Sequence, residues 1–388
     1  MEVPSGDLRG GGDQGWLTRK TKPEPFPDSS PIRTVDLFSG CGGLSLGIHE
    51  ACRRMKMGCQ VELAWEWDKE AMEVFEENLN PVSTMNDDIC DWLVGDLGDP
   101  VQPTEMEFLG IHPHAVNPDL LIGGPPCQGH SDLNNHSRRK DPRNLLYLKM
   151  VRAAELLEPK VVIIENVSTV IHSMEGVVEK AVRKLEEIGY QVEHSRLKAN
   201  DFGVPQKRVR HFLIASRVAN PDFSSLEKIP ERTLRWAIRD LVGLDDPSDI
   251  FNSNANYSTE NRRRMEYLFA KDIYDLPNKE RPLCHRNGHN YPAVYGRMKW
   301  DEPTSTITAG FGCTGQGRFV HPDFPRTLTP HEAARVQTFP DWFDFVGLRR
   351  MALRKCIGNA VPPLLAVQVA FVALKGIVSE SVPEAIEI

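Results

Sequence analysis

The sequence predicts an α/β protein with a doubly wound, mostly parallel sheet and a second, smaller and irregular domain. Two observations predict this fold. From residue 34 to residue 215, short apolar or β-branched runs alternate with segments of helical periodicity, which is the pattern of βαβ units around a parallel sheet. Beyond Arg217 the alternation stops, and Pro, Asp and Asn are scattered from 220 to 290, which indicates an irregular second domain.

The predicted elements follow one another at the spacing of βαβ units. Each predicted strand is a short run dominated by apolar and β-branched residues, and each predicted helix places its apolar residues on one face. The predicted strands are 34–38, 61–65, 120–122, 161–164, 191–197 and 211–215, and the predicted helices are 44–55, 69–78, 145–157, 177–188 and 365–377.

Composition is that of an ordinary globular protein from a reducing compartment. Of the 388 residues, 40% are hydrophobic, and the eight cysteines are irregularly spaced, so disulfides are not expected. We find no signal-peptide pattern and expect no apolar stretch long enough to span a bilayer, which favours a cytoplasmic protein, associated with the nucleoid if bacterial.

The charge balance does not indicate a general nucleic-acid binder. With a net charge of −8 and a pI near 5.9, any contact with nucleic acid must come from a local basic patch. Candidate patches are the basic residues within 138–140, 207–210 and 262–264. The first two adjoin the proposed chemistry, whereas 262–264 is equally well explained as a solvated face.

Chemically capable residues follow the predicted strands. Strand 120–122 continues into GGPPCQG at 123–129, whose Cys127 is a candidate nucleophile, and strand 161–164 continues into Glu165, a candidate acid. Ligands in open α/β sheets bind at the carboxyl ends of the strands, so these two side chains are expected near each other. The first strand runs into SGCGG at 39–43, a glycine turn that opens a helix. Together these features indicate a cofactor-dependent enzyme.

Five motifs in order give the chain a resemblance to the DNA (cytosine-5) methyltransferase family of the bacterial type. They are DLFSGCGG at 36–43, PPCQG at 125–129, ENV at 165–167, QKRVR at 206–210 and GNAV at 358–361. The resemblance extends from about residue 33 to about residue 365, apart from the segment before Trp300. It implies a Rossmann-like S-adenosylmethionine-dependent methyltransferase fold and the methylation of C5 of cytosine in a short duplex DNA sequence.

Four segments are expected along the chain. Residues 1–31, rich in Gly, Pro, Asp and Lys, are expected to be a disordered tail. Residues 32–217 are expected to form the catalytic, cofactor-binding domain and residues 218–344 the small target-recognition domain. The resemblance implies that the C-terminal segment, 345–388, returns to pack on the catalytic domain.

The cofactor site is expected around the first glycine turn. Its spacing lacks the third glycine of G-x-G-x-x-G, which disfavours a pyrophosphate, and S-adenosylmethionine carries no phosphate. Glu66, just past the second strand, can accept both ribose hydroxyl protons, and Trp67 can stack on adenine. The resemblance supports both roles and adds residues near the adenine and the methionine end. The expected cofactor-binding set is Phe38, Ser39, Gly40, Cys41, Gly42, Gly43, Glu66, Trp67, Asp88, Ile89, Pro125, Leu146, Asn359 and Ala360.

The catalytic set is expected to be Cys127, Gln128, Glu165, Arg208 and Arg210. A thiolate that adds to C6 of cytosine turns C5 into an enamine carbon, which can attack a sulfonium methyl group. Loss of the C5 proton and expulsion of the thiolate then restore the ring. A protonated Glu165 would donate to N3, the arginines would contribute positive charge, and Arg210 would hold the base or Glu165 in place.

A polar stretch at 128–143 is expected to be a mobile loop that closes over DNA after the target nucleotide has flipped out. It has His130 where the family most often has Phe, which leaves loop packing and pH dependence open. Cys284, His285 and His289 lack an evident fourth ligand, so no metal is expected.

The segment between Arg217 and Trp300 is expected, by resemblance, to read sequence in the major groove. The expected partner is duplex DNA; the protein is expected to be a monomer without a membrane partner, and a cognate restriction endonuclease stays open. Two alternatives also stay open, namely an RNA cytosine-5 methyltransferase acting on tRNA and a non-catalytic DNA-binding protein of the same fold. Candidate readers that the sequence does not rank are Arg232, Arg235, Asn252, Asn254, Asn256, Arg262, Arg286, Asn287 and Asn290.

Overall fold

The computed structural model describes residues 12–26, 30–126, 145–244, 246–286 and 293–381. The chain divides into two units, each assembled from separate segments. The sheet unit contains residues 23–198, 209–228 and 363–388, and the second unit contains residues 1–22, 199–208 and 229–362. The longest segment of the second unit therefore runs from 229 to 362, compared with the expected small domain at 218–344. Residues 345–362 belong to this unit, although they were expected to return to the catalytic domain.

Strands and helices alternate through the first half of the chain as predicted. The strands are β1 Ile32–Leu37, β2 Cys59–Trp65, β3 Ser83–Met85, β4 Leu120–Gly123, β5 Val161–Val167, β6 Gln191–Lys198, β7 Gln206–Lys207, β8 Val209–Ser216 and β9 Thr304–Ser305. The helices are α1 Gly12–Leu17, α2 Gly43–Arg54, α3 Lys69–Leu79, α4 Ile89–Trp92, α5 Pro103–Ile111, α6 Leu146–Leu157, α7 Val177–Glu187, α8 Leu234–Ile238, α9 Thr259–Ala270, α10 Pro330–Val336, α11 Arg350–Asn359 and α12 Pro363–Ser381.

Seven strands form one sheet in the order β3-β2-β1-β4-β5-β8-β6. The first five strands of this order pair in parallel, whereas β8 is antiparallel to both β5 and β6. The central strands β1, β4 and β5 are buried along almost their whole length, as expected where both faces of a parallel sheet are covered. This sheet confirms the predicted fold class.

The register aligns the carboxyl ends of the central strands. Leu37 lies beside Trp65 of β2 and beside Gly123 of β4, and Gly123 lies beside Ile164 of β5. A side chain at Gly123 would lie 2.5 Å from the Leu37 carbonyl oxygen and 2.6 Å from Met150 Sδ, so close packing of β4 against β1 and α6 requires glycine here. The motifs that follow β1, β2, β4 and β5 therefore meet at one edge of the sheet.

The last helix, α12, packs against α2 within the sheet unit. A Cβ at Gly47 of α2 would lie 2.3 Å from Ala366 Cβ, so the two helices are in backbone contact. One expectation was wrong: the stretch 350–378 is long and apolar enough to cross a membrane. However, 78% of its most apolar window is buried inside the protein, which makes it a core segment.

The second unit contains an N-terminal helix that the sequence did not predict. Residues 1–31 were expected to be disordered, yet residues 12–17 form α1, and Trp16 and Leu17 are buried. The Trp16 ring meets Trp342 edge to face, and its Nε1 donates to the Thr338 carbonyl oxygen at 3.3 Å. Asp13 forms a 2.6 Å ion pair with Arg232. Only two large apolar residues anchor this helix, which is too few to produce a recognisable periodicity.

Candidate active site

The turn after β1 has the backbone geometry of a close ligand approach. Phe38, Gly40 and Gly42 all have positive φ angles, of 57°, 54° and 92°. The Ser39 amide donates to the Trp65 carbonyl oxygen at 3.1 Å, which ties the turn to the end of β2. A Cβ at Gly42 would lie 2.6 Å from Leu79 Cδ1, so this glycine is required both by its conformation and by packing. The turn opens α2, whose first backbone amides face the same edge of the sheet.

Glu66 lies against this turn, as its expected role requires. Its Oε2 accepts a hydrogen bond from the Gly40 amide at 2.9 Å, and its Oε1 accepts one from the Asp68 amide at 2.8 Å. The neighbouring Trp67 is 71% exposed, which leaves the face of its indole accessible for stacking. The glycine turn, a carboxylate and an exposed aromatic ring thus lie together.

The residues after β3 join the same group. Asn86 Nδ2 donates to the Glu66 carbonyl oxygen at 2.5 Å, and the Glu66 amide donates to the Met85 carbonyl oxygen at 3.0 Å. Asp88 caps α4 by accepting from the Cys90 amide, and Ile89 is buried. The structure therefore places Asp88 and Ile89 just beyond Glu66 along the sheet edge.

A buried carboxyl group, not singled out from the sequence, lies beneath the turn. Asp36 is 1% exposed, and its Oδ2 accepts a 2.6 Å hydrogen bond from Ser45 Oγ. Burial raises the pKa of Asp36 to about 8, the Ser45 hydrogen bond opposes this, and the charge of Glu66 raises it further. Asp36 Oδ1 and Ser39 Oγ are buried without a hydrogen-bond partner. Two orphaned polar atoms next to the turn fit a site shaped for a polar ligand.

At the end of β5, Glu165 forms an ion pair with Arg210 of β8. Arg210 Nε and Glu165 Oε1 are 2.9 Å apart, and both side chains are largely buried. In the antiparallel register Arg210 lies opposite Val167, so Glu165 is its diagonal neighbour on the same face. The guanidinium thus fixes the position of the carboxylate.

The end of β4 is held against the same carboxylate. A Cβ at Gly124 would lie 3.3 Å from Glu165 Oε2, and Asn166 Nδ2 donates to the Pro125 carbonyl oxygen at 3.1 Å. Asn166 is a further residue of the site that the sequence reasoning did not assign, although it lies inside the ENV motif. Cys127 and Gln128 directly follow Pro126 in the sequence and lie outside the described residues.

Three of the predicted site residues belong to the second unit. Arg208 is buried, and its Nη1 donates to the carbonyl oxygens of Ile307 at 2.8 Å and Gly358 at 3.3 Å. Asn359 ends α11 and is exposed, and Ala360 caps that helix. The geometry of Arg208 is that of a residue that orders backbone, and Gly358 of the GNAV motif packs directly on the backbone of residues 308–309.

The remaining expected cofactor residues lie in or near the ends of strands and helices of the sheet unit. Cys41 and Ser39 are buried, Gly43 is the first residue of α2, Leu146 is the first residue of α6, and Pro125 is buried. Within the described ranges no group of three or more His, Cys, Asp or Glu residues has the arrangement of a metal site.

The chain as a whole is similar to known proteins. The model of the family described as C-5 cytosine-specific DNA methylase matches residues 32–374. The chain is 45% identical to the type II methyltransferase M1.BsuMI of Bacillus subtilis over 94% of this chain and 85% of that protein. It is 30% identical to the type II methyltransferase M.NgoFVII of Neisseria gonorrhoeae over 88% of this chain and 86% of that protein.

Solved structures share the fold. One is the crystal structure of an E. coli protein that is encoded within a prophage and described as a DNA modification methyltransferase. It superposes on this chain with a TM-score of 0.61 at 24% sequence identity. The superposition covers 89% of this chain and 99% of that one. At this identity the likeness supports the fold alone.

Proposed function

Because this chain belongs to the C-5 cytosine-specific DNA methylase family and is a DNA (cytosine-5-)-methyltransferase, we propose that it methylates a flipped-out cytosine within one short duplex sequence. The family depends on S-adenosylmethionine, and we propose the same methyl donor here. The observation that carries the proposal is the Arg210–Glu165 pair beside the Gly124–Pro125 backbone, directly before Cys127.

Cys127 is proposed as the nucleophile. Its thiolate forms a bond to C6 of cytosine, and the electron pair of the C5–C6 double bond becomes available at C5. Glu165, in its protonated form, donates to N3 and neutralises the charge that develops in the ring. Arg210 holds this carboxyl group in place through the 2.9 Å contact. Carbon C5 then forms a bond to the methyl group as the bond between that group and the sulfonium sulfur breaks. Removal of the C5 proton, breakage of the C6–sulfur bond and return of the N3 proton to Glu165 restore the aromatic ring and the free enzyme.

The cofactor residues fit S-adenosylmethionine by chemistry. When bound, this cofactor supplies an electrophilic sulfonium methyl group. Glu66 would accept the two ribose hydroxyls, Trp67 would cover one face of the adenine, and the buried Ser39 hydroxyl would gain a partner. Asn359 and Ala360 are proposed at the methionine end. Arg208 is proposed to hold the backbone of the second unit in place, because its guanidinium donates to the carbonyl oxygens of Ile307 and Gly358.

The biological setting follows from the relatives. Both named relatives are type II methyltransferases, so we propose that this enzyme belongs to a restriction–modification system and acts in the cytoplasm on duplex DNA. A cognate endonuclease and a monomeric state are parts of the same proposal. Methylation of tRNA is the competing function.

The test is transfer of labelled methyl groups to bacterial genomic DNA and, in parallel, to tRNA. The expected result is label at C5 of cytosine within one DNA motif, with complete loss of transfer in Cys127→Ala. Cys284→Ala, which removes an exposed thiol of the second unit, is the matched control and should retain full transfer. Label in tRNA alone would show that the substrate is tRNA and not DNA. Methyl transfer by Cys127→Ala would overturn the proposed mechanism.

A further inference from the structure

A pocket in the second unit is lined by none of the residues assigned to methyl transfer. Its volume is about 360 Å³, and its walls include Asn256, Asn261, Thr314, Arg350 and Arg354. We call it the Arg354 pocket. All these residues belong to the second unit, and the sequence had singled out Asn256 only as one of many undifferentiated polar residues.

Two helix N-termini contribute to this pocket. Ser258 caps α9 and lines the pocket together with Asn261 in the first turn of that helix. Arg350 and Arg354 lie four residues apart near the start of α11, which puts both on one face of the helix. The positive ends of two helix dipoles and two guanidinium groups therefore converge on the same space.

Both arginines are held in place by backbone or hydroxyl oxygens. Arg350 donates from Nη1 and Nη2 to the carbonyl oxygen and the hydroxyl of Ser253, each at 2.8 Å. Arg354 Nε donates to the Ala309 carbonyl oxygen at 3.0 Å. A guanidinium has five N–H groups, so each arginine keeps donors for a further partner. A Cβ at Gly312 would lie 3.2 Å from Arg354 Nε, so glycine there leaves room for this side chain.

In the described part of the chain, no carboxylate balances the charges of these two arginines. Among the residues that the structure describes, neither Arg350 nor Arg354 has an acidic oxygen within ion-pair distance. Other arginines of the same unit are neutralised: Arg326 pairs with Glu332 at 2.7 Å, and Arg335 pairs with Asp240 at 3.0 Å. The contrast indicates that the Arg354 pocket is built for an external anion.

A buried hydroxyl group supports the same conclusion independently. Thr314 is 1% exposed, it lines the pocket, and its Oγ1 has no hydrogen-bond partner. A buried hydroxyl without a partner destabilises the protein, and a ligand oxygen that accepts a hydrogen bond from it would remove this penalty.

A second pocket adjoins the Arg354 pocket and shares part of its wall. Its volume is about 370 Å³; it shares Asn256 and Arg350 with the first and adds the exposed Arg262. Arg262 belongs to the basic run that the sequence left undecided between a DNA contact and a solvated face. Because Arg262 lines the same pocket as Arg350, the structure favours the DNA contact over the solvated face.

We propose that the Arg354 pocket binds a phosphodiester group of the DNA backbone, with Arg262 beside the next phosphate along the strand. The proposal rests on the proposed function, because it takes duplex DNA as the substrate. Paired cations without a carboxylate acceptor suit phosphate better than a base edge. Such a contact orients the duplex without reading its sequence. It also supplies the local basic patch that a chain of net charge −8 needs.

The salt dependence of DNA affinity tests the proposal. Each phosphate contact contributes about 0.9 to the slope of log K against log salt concentration. Arg354→Gln is expected to weaken duplex binding about tenfold, to reduce this slope by about one, and to leave S-adenosylmethionine affinity unchanged. The matched control is Arg239→Gln, which removes an exposed arginine of the same unit that is paired with Asp323. This control should bind with the slope of the unaltered protein.

Thr314→Val keeps the result interpretable if Arg354→Gln folds poorly. Valine has nearly the same shape, so removal of the unpartnered hydroxyl should leave the melting temperature of the free protein unchanged or higher. The same substitution should weaken DNA binding about threefold, because the ligand oxygen loses a donor. An unchanged DNA affinity in Thr314→Val would contradict the pocket's role.

An experiment with inorganic phosphate distinguishes a pocket that binds free phosphate from one that binds a phosphate group of the DNA backbone. If free phosphate raises the melting temperature of the unaltered protein but not of Arg354→Gln, while DNA affinity and salt slope are equal in both, the pocket binds phosphate alone and the DNA assignment is overturned. Failure of the proposed function looks different, since the unaltered protein would then transfer no methyl group to DNA.

Discussion

The sheet unit and the second unit use charged side chains in opposite ways. In the sheet unit, apolar strands and helices make the core, and the Arg210–Glu165 pair lies at the sheet edge where the reaction is proposed. In the second unit the elements are short, and buried arginines connect them. Arg335 alone contacts Asp240, Asp341 and the Ala237 carbonyl oxygen.

This difference predicts which property of the protein a substitution of a charged residue should change in each unit. Glu165, the carboxylate at the sheet edge, is proposed to take part in the reaction, so its loss should change the reaction rate while the fold persists. A guanidinium inside the second unit replaces the hydrophobic periodicity that this region lacks, so its loss should change stability. Arg152, which pairs with Glu105 at 2.5 Å, and Arg54, which pairs with the buried Glu50 at 2.7 Å, show that the sheet unit also contains structural ion pairs.

The largest effect is expected from Glu165→Gln. The amide cannot transfer a proton to cytosine N3, so the turnover rate should fall about 10²- to 10⁴-fold. The melting temperature should change little, because glutamine keeps the shape and still accepts from Arg210. Single-turnover methylation measures the rate, and calorimetry measures stability. A variant that unfolds in parallel with its loss of rate would break the proposed distinction between the two units.

Arg335→Met is the counterpart in the second unit. Removal of one member of a buried ion-pair network leaves Asp341 without its main partner and should cost about 3–5 kcal/mol. Although burial opposes it, hydrogen bonds from His331 and Arg335 lower the pKa of Asp341 to about 2, and the variant loses the part of this stabilisation that comes from Arg335. Urea unfolding measures the loss. Methyl transfer per folded molecule should stay close to that of the unaltered enzyme, and a specific loss of turnover would contradict the assignment.

The two units also differ in how far the sequence predicts them. Strands such as β4 and β5 are continuous apolar runs, so periodicity predicts them, and the parallel topology then places Glu165 near the residues after Gly124. The turn at 38–43 and Glu66 could be predicted because each directly follows a strand. Asp36 could not, because nothing in one sequence separates a buried carboxyl group from an exposed one. The Arg354 pocket joins segments 97 and 45 residues apart through hydrogen bonds to the carbonyl oxygens of Ser253 and Ala309, which leave no sequence pattern.

Trp16→Ala tests whether the N-terminal helix is part of the second unit. Trp16 is buried against Trp342, so truncation should cost about 3–5 kcal/mol. Phe26→Ala is the control, since Phe26 is 40% exposed and its loss should change stability by less than about 0.5 kcal/mol. Hydrogen exchange should show the loss of protection in α8 and α10. Equal effects of the two substitutions would restore the disordered-tail interpretation.

Gly42→Ala and Gly189→Ala separate backbone strain from packing at the sheet edge. Both glycines have nearly the same φ, 92° and 93°, so alanine should cost about 1–2 kcal/mol at each position. Only at Gly42 would the new methyl group meet a neighbour, Leu79 Cδ1 at 2.6 Å. The Gly42 variant should therefore lose about 1–3 kcal/mol more and bind S-adenosylmethionine more weakly. Calorimetry of both variants provides the comparison, and equal losses would remove the packing argument.

The smallest effect is expected from a change of pH, which should alter the stability of both units. Burial is the main reason that the pKa values of His211 in the sheet unit and His321 in the second unit are lowered to about 4. Between pH 6.5 and pH 4 the unfolded chain therefore binds more protons than the folded chain. The stability that each neutral histidine contributes is complete above pH 6.5 and is lost as the pH falls towards 4. In His321→Asn, the amide oxygen can still accept from the Asp323 amide, as His321 Nδ1 does at 3.0 Å. The melting temperature of this variant should fall less steeply across that range, and an unchanged slope would show that His321 does not titrate on unfolding.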